Sequence, residues 1–187
     1  KHQADGKHII TTALEHHAVL EPIEYLVERF GFEVTIVQPR DGRIQARDIK
    51  AALRPDTILV STMFANNETG DLLPIKEIGE LLKDLPAAFH VDAVQAIGKV
   101  PVYPEELGID FLSASAHKFH GPKGVGFLYA AVPDFDNLLH GGDQESKMRA
   151  STENLISIVG MATALQQATL HQEENFNQVQ KLGQELV

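Results

Sequence analysis

The sequence predicts an α/β domain with a mostly parallel sheet, and two observations carry that prediction. Short apolar or β-branched runs alternate along the chain with segments whose apolar residues recur at helical spacing. The runs at 57–61 and 87–91 are almost continuously apolar, which is typical of strands buried on both faces. Alternation of strands and helices at this spacing favours a parallel sheet.

The individual elements follow from local signals. Strands are expected at 8–12, 33–37, 57–61, 87–91, 111–114 and 124–129. Helices are expected at 18–30, 46–53 and 75–82. Pro22 is compatible with the first helix if it falls in the first turn, and Gly31 supplies its C-terminal cap. A last helix, capped by Ser151 or Thr152, has one apolar face and no stop signal before Val187.

Composition excludes several classes of function. The chain has 187 residues, enough for one domain with a core, and its net charge of −10 argues against a nucleic-acid partner. It contains no cysteine, so it supplies neither a disulfide nor a thiolate. No apolar run is long enough to span a membrane. Because the sequence opens on Lys1 rather than Met, we expect a piece of a longer protein.

Reactive side chains gather where the predicted strands end. Ligands of open parallel sheets bind beyond the carboxyl ends of the strands. Four such ends, after Thr12, Ser61, Val91 and Ala114, are followed by the side chains with the most chemistry: His16, Asn67, Asp92, Gln95, Ser115, His117 and Lys118. The sequence therefore predicts one site at this edge of the sheet.

Lys118 is the expected reactive group. It lies between two predicted strands, with small residues before it and a histidine on either side, His117 and His120. Lysines form Schiff bases with carbonyl cofactors, of which pyridoxal phosphate is the leading case, and hydroxyl and imidazole groups can bind a phosphate. The alternative is a solvated lysine in the polar turn that ends at Gly121-Pro122.

The other candidates also have two interpretations. Asp92 either keeps a pyridine nitrogen protonated or caps the helix after its strand. His16 either lies over a cofactor ring and moves protons or is a capping or core histidine. Asn67 binds a cofactor or carboxylate oxygen or is a turn residue, and Gln95 is a ligand or an exposed helix residue.

A metal site was the remaining alternative. It would use His16, His17, His117 and His120. The sequence offers no His-x-x-x-His pair and no cysteine partner, so we expect no metal.

The run from His117 to Gly124 resembles the lysine motif of the NifS/IscS-like cysteine desulfurases, which belong to the class V aminotransferase group of pyridoxal-phosphate enzymes. Further blocks that are similar to the family lie, in the family's order, at 15–16, 66–70, 90–95, 140–142, 148–149 and 152–154. The resemblance covers nearly the whole chain. It implies the large domain of a fold-type I transferase, with helices on both faces of the sheet.

The resemblance also assigns a role to each site residue. Lys118 would form the Schiff base, Asp92 would pair with the pyridine nitrogen, and Gln95 would bind the phenolic oxygen. His16 would stack on the ring as acid or base, and Asn67 would contact the cofactor or the substrate carboxylate. The phosphate ligands would be Ser115, His117 and, for the neighbouring subunit's cofactor, Thr152. Shared sites of this kind imply a homodimer.

The domain division and the activity follow from the same resemblance. Residues 1–152 would form the pyridoxal-phosphate domain, with its N-terminal part missing, and 153–187 a long helix leading toward an absent C-terminal small domain. The family takes sulfur from L-cysteine, leaves alanine and passes the sulfur as a persulfide to an acceptor protein for iron–sulfur or thiolation pathways. We expect a cytoplasmic location with no membrane or nucleic-acid partner.

Two departures from the family qualify this prediction. Its persulfide cysteine and the arginine that binds the substrate carboxylate are expected beyond Val187, so this chain by itself is expected to be inactive. Alternatives are another class V enzyme, such as a selenocysteine lyase, and a non-catalytic truncated domain that serves for association.

Overall fold

A six-stranded sheet forms the centre of the computed structural model, which describes residues 1–186. The strand order is β2-β1-β3-β4-β5-β6; neighbouring strands pair in parallel except β5 and β6, which are antiparallel. The strands are β1 His8–Thr12, β2 Glu33–Val37, β3 Thr57–Met63, β4 Ala88–Asp92, β5 Phe111–Ser115 and β6 Gly126–Ala130. The helices are α1 His17–Phe30, α2 Ala46–Ala52, α3 Ile75–Leu82, α4 Leu155–Leu170 and α5 Gln172–Leu186. The predicted α/β class and mostly parallel sheet are confirmed.

Helices cover both faces of this sheet. Because successive strand residues point to opposite faces, the neighbours Ile9 and Ile10 enter two different cores. Ile9 packs with Ile23 of α1 and with Phe32. Ile10 belongs to the larger core on the other face, to which α2 and α3 contribute. The two layers hold the strands rigidly and leave their carboxyl ends free for a site.

The start of α1 differs from the prediction. The helix begins at His17 because His16 is extended, with φ −68° and ψ 150°, and serves as its N-cap. Pro22 is therefore the sixth helical residue and lies in the second turn, so the condition that it fall in the first turn is not met. The C-terminal cap is confirmed: Gly31 has φ 65°, in the left-handed region that favours glycine.

The C-terminal segment forms two helices instead of one. Asn154, not Ser151 or Thr152, caps α4, since its side-chain oxygen accepts a hydrogen bond from the Ser157 N–H over 3.2 Å. At His171 the backbone leaves the helical conformation, and α5 follows. Val187, the end of the predicted helix, lies outside the described residues. The division into 1–152 and 153–187 stays a prediction.

Much of the apolar surface of these two helices is exposed, notably at Ile156 and Val159 of α4 and at Val179 of α5. The inner side of α4 packs on the loops beside β5, where Gly160 approaches Pro122 and Ala168 approaches Gly98. Among residues 1–186, no helix combines the length and the apolar character needed to cross a bilayer.

Candidate active site

Four parallel strands end side by side at one edge of the sheet. β1, β3, β4 and β5 are consecutive neighbours, and the register pairs Met63 with Asp92 and Asp92 with Ser113. β3 runs two residues further than predicted, to Met63, and β5 one residue further, to Ser115. The segments that carry the predicted site residues therefore leave the sheet at the same edge.

Asp92 is the last residue of β4 and is 8% exposed. Its Oδ1 accepts a hydrogen bond from the Val94 N–H over 2.9 Å, so it does cap the turns that follow, as one interpretation predicted. The predicted helix after Asp92 is a series of hydrogen-bonded turns instead. Within residues 1–186, Oδ2 of Asp92 accepts no hydrogen bond from the protein. A buried strand end thus presents one free carboxylate oxygen.

A single 3-10 turn at Ala116–Phe119, here called the lysine turn, carries Lys118. Ala116 and Phe119 are buried and anchor it, while Lys118 is exposed. The turn closes through the Gly121 N–H, which bonds to the Ala116 carbonyl over 2.8 Å. A side chain at Gly121 would come within 2.9 Å of the Ala116 Cβ, so only glycine fits without a shift. The packing fixes the position from which Lys118 extends.

Ser115 and His117 form a polar pair beside this lysine. Ser115 Oγ and His117 Nδ1 lie 2.8 Å apart, and both side chains are at least partly exposed. A hydroxyl and an imidazole joined in this way form a compact group that can receive an anion.

Gln95 has a partner that the sequence did not predict. Lys99 Nζ donates to Gln95 Oε1 over 2.7 Å, which leaves the amide Nε2 as the free, donating end. Burial lowers the pKa of Lys99, and the charge of Lys118 lowers it further. Lys99 therefore lies within electrostatic reach of Lys118. The signal in the sequence was the four-residue spacing of Gln95 and Lys99.

His16 and Glu15 follow β1. Nδ1 of His16 accepts a hydrogen bond from the Ala18 N–H over 3.1 Å, so the capping interpretation holds, and the exposed ring keeps Nε2 free. Glu15, which is part of the family-like block at 15–16 but was given no predicted role, is 7% exposed. Its Oε1 accepts from Thr12 Oγ1 over 2.7 Å and from the Met63 N–H over 2.8 Å, which ties the end of β1 to the end of β3.

Burial also changes the acidity of Glu15. It raises the pKa of the carboxyl to about 7, with a further increase from the charge of Asp92 and a decrease from the two hydrogen bonds. Its second oxygen, Oε2, is buried and has no hydrogen-bond partner in the described structure. A carboxyl group whose pKa is raised to about 7 thus joins the ends of β1 and β3, next to His16 in the chain.

Asn67 is exposed, whereas the side chain of its neighbour Asn66 forms the hydrogen bonds that hold the loop after β3. Oδ1 of Asn66 accepts from the Glu68 N–H over 2.8 Å and from the Thr69 N–H over 2.9 Å. Nδ2 of Asn66 donates to the Leu14 carbonyl over 3.1 Å. For the part of the chain that is described, Asn67 makes no side-chain hydrogen bond, and its role stays a prediction.

The family model for class-V aminotransferases matches residues 1–187. The chain belongs to this family. Of the solved structures, a NifS-like protein superimposes with a TM-score of 0.93 at 41% identity, over 99% of this chain and 52% of its own. DndA from Streptomyces lividans gives 0.83 at 40% identity, over 92% of this chain and 50% of its own.

The chain is also similar to curated proteins along most of its length. The cysteine desulfurase IscS of Dictyoglomus turgidum is 49% identical over 179 residues, and that of Methanosarcina thermophila 51% identical over 185. These alignments cover 95% and 97% of this chain and 45% of each relative. The chain thus spans about half the length of the curated relatives it matches.

Class-V aminotransferases are pyridoxal-phosphate enzymes, and the residues at the strand ends fit that cofactor. The free oxygen of Asp92 suits a protonated ring nitrogen, the free Nε2 of Gln95 suits a phenolic oxygen, and the Ser115–His117 pair suits a phosphate. The amine of Lys118 is exposed for reaction with an aldehyde. Together they offer a complementary group for each polar part of the cofactor.

Thr152 lies in a different part of this class-V chain. It is exposed and lines a cavity of about 430 Å³ formed with the residues around His140 and Gly141-Gly142. None of the strand-end residues lines that cavity. The predicted contact of Thr152 with a neighbouring subunit's phosphate stays a prediction. In the described residues, no group of three or more His, Asp or Glu side chains is arranged to hold a metal ion.

Proposed function

We propose that this chain is the cofactor-binding part of a pyridoxal-phosphate-dependent cysteine desulfurase. The proposal rests on one observation: β4 ends at the buried carboxylate of Asp92, and the lysine turn begins where the neighbouring strand β5 ends, at the same edge of the sheet. The identity of about half the residues to IscS proteins supports the choice of reaction within the family.

Each side chain has a defined task in this proposal. Lys118 holds the cofactor covalently, and Asp92 keeps its ring nitrogen protonated, which makes the ring an electron sink. Gln95 donates to the phenolic oxygen, and Ser115 and His117 bind the phosphate. His16 covers the ring and moves protons through Nε2, because Nδ1 is engaged by the Ala18 N–H. Asn67 binds the substrate carboxylate or the cofactor.

The proposed substrate is L-cysteine. Its C–S bond breaks, an S–S bond forms on a thiolate, and the carbon that loses sulfur takes up a proton, so that alanine and a persulfide result. The thiolate comes from outside these 187 residues, since they contain no cysteine. The chain alone is therefore inactive in turnover. The proposed assembly is a cytoplasmic homodimer, with Thr152 reaching the partner's phosphate, that delivers sulfur to an acceptor protein.

A cofactor titration tests the first step. We expect the purified chain to turn yellow with pyridoxal phosphate, borohydride to fix the label, and mass spectrometry to find it on Lys118. Lys118→Ala should abolish the label, whereas the matched variant Lys123→Ala, five residues further on, should keep it. A folded chain with no label, or with label spread over many lysines, would contradict the proposal.

A further inference from the structure

His90 connects three parallel strands two residues before Asp92. Its Nδ1 lies 2.8 Å from Ser61 Oγ on β3, and its Nε2 lies 2.9 Å from Ser113 Oγ on β5. Ser61 is the register partner of His90, and Ser113 is the register partner of Asp92. Because side chains two residues apart in a strand share a face, the bridge and the carboxylate of Asp92 lie on the same side of the sheet.

The buried setting of this imidazole favours its neutral form. Burial lowers the pKa of His90, and the nearby charge of Asp92 offsets part of the decrease. A neutral ring has one N–H donor and one acceptor nitrogen, and each serine hydroxyl can complete either kind of bond. Both ring nitrogens are thus paired within the bridge.

The side chains of these three strands contact one another differently on the two faces of the sheet. On the opposite face Val60, Val91 and Leu112 of the same three strands are buried in the main core. On the His90 face the same strands meet through serine hydroxyls and the ring. The backbone ladder sets the spacing of these strands. The two hydrogen bonds of His90 add a side-chain tie on this face, where the serine side chains are too short to pack against one another.

We infer that His90 is a positioning residue for the cofactor site, an inference that rests on the proposed function. The bridge ties β3 and β5 to β4 two residues before β4 ends. It thereby reinforces, beyond the backbone ladder, the placement of Asp92 relative to the lysine turn, which begins directly after β5. A cofactor attached to Lys118 reaches Asp92 only if that placement is kept.

His8 provides a matched control. Its Nδ1 lies 2.7 Å from Thr57 Oγ1 on β3, and its Nε2 lies 2.8 Å from Thr35 Oγ1 on β2. It is therefore the same kind of three-strand bridge, but it lies at the first residue of β1, at the opposite edge of the sheet from the site. Loss of this bridge changes stability without changing the site.

The experiment compares His90→Phe with His8→Phe, since phenylalanine keeps a flat ring and removes both hydrogen bonds. Both variants should lower the thermal unfolding midpoint of the chain. His90→Phe should in addition weaken pyridoxal phosphate binding by about tenfold or more and reduce the borohydride-trapped label on Lys118. His8→Phe should bind the cofactor as the unmodified chain does. His90→Gln, which can still bond to one serine, should recover part of the affinity.

A readout without cofactor separates this inference from the proposed function. In the unloaded chain, the NMR amide signals of Asp92, Ser115 and Lys118 should move in His90→Phe and stay in place in His8→Phe. If the unmodified chain binds no pyridoxal phosphate, the proposed function fails. The NMR signals then test by themselves whether His90 positions Asp92 and the lysine turn. Equal effects of the two variants on cofactor binding, or unmoved signals in His90→Phe, would overturn the positioning role.

Discussion

Nζ of Lys99 donates a hydrogen bond to Oε1 of Gln95 over 2.7 Å. The contact holds the carbonyl end of the amide and turns the donating Nε2 end away from Lys99. It also brings a second ammonium within electrostatic reach of Lys118, whose charge, after burial, contributes to lowering the pKa of Lys99. Lys99 is thus joined to the candidate site by a hydrogen bond and by charge.

Replacement of Lys99 by methionine should weaken cofactor binding while the label stays on Lys118. Methionine keeps the length of the stem and leaves the Gln95 amide free to rotate, which costs about the worth of one hydrogen bond, or roughly three- to tenfold in affinity. Titration of absorbance with pyridoxal phosphate measures the change. Lys123→Met is the control and should bind normally; an unchanged affinity in Lys99→Met would mean that the contact does not orient Gln95.

The buried carboxyl of Glu15 should make stability depend on pH. Its pKa of about 7 in the folded chain lies above the ordinary value of 4.5, so between these values the folded chain holds a proton that the unfolded chain has released. The free energy of unfolding therefore falls as the pH rises through this window. The shift corresponds to a loss on the order of 3 kcal/mol, complete above the folded pKa.

Urea unfolding at about pH 5 and about pH 8 measures this loss, and Glu15→Gln should reduce it by most of that amount. Glutamine retains an oxygen that can accept from Thr12 and Met63 but has no proton to lose. Glu24→Gln, on the exposed side of α1, is the control and should keep the pH dependence of the unmodified chain. A Glu15→Gln variant with the same pH dependence as Glu24→Gln would show that Glu15 titrates normally.

The fold could be predicted because its signals are local. The continuous apolar runs mark β3 and β4, and Gly31 marks the end of α1 through the left-handed conformation it adopts. Other boundaries depend on contacts that no local pattern contains. α1 starts at His17 because His16 turns its ring back onto the Ala18 N–H, and α4 stops at His171 without a glycine or proline.

The position of the site at the strand ends could be predicted from the sequence, whereas the side-chain contacts that support the site could not. Parallel order alone brings the ends of β1, β3, β4 and β5 together, so Asp92 and Lys118 follow from the positions of the strands. The supports pair residues that are distant in sequence. Glu15 meets the backbone of Met63, and His90 meets Ser113, in a register that is defined only when the sheet forms.

The two tasks of His16 can be separated by substitution. His16→Ala removes both the cap and the ring and should cost about 1 kcal/mol of stability, whereas His16→Asn restores a cap whose oxygen accepts from the Ala18 N–H. Both variants lack the imidazole and should weaken pyridoxal phosphate binding to the same extent. Chemical denaturation and cofactor titration of the same samples measure the two effects. Normal cofactor affinity in His16→Asn would remove the ring from the site.

The contact between α3 and the loop before β5 should be sensitive to a single methyl group. A Cβ at Gly79 would collide with the carbonyl oxygen of Leu107, so Gly79→Ala must push the loop away and should cost about 1 to 3 kcal/mol. Because that loop leads into β5, cofactor labelling of Lys118 should fall as well. Gly183→Ala on α5 is the control: among the described residues, no atom beyond its chain neighbours and the backbone of its own helix lies within 4 Å of the added Cβ, and alanine favours the helix by up to about 1 kcal/mol. Thermal unfolding should therefore show a lower midpoint for Gly79→Ala and an unchanged or higher one for Gly183→Ala; equal midpoints would mean that α3 and the loop separate without cost.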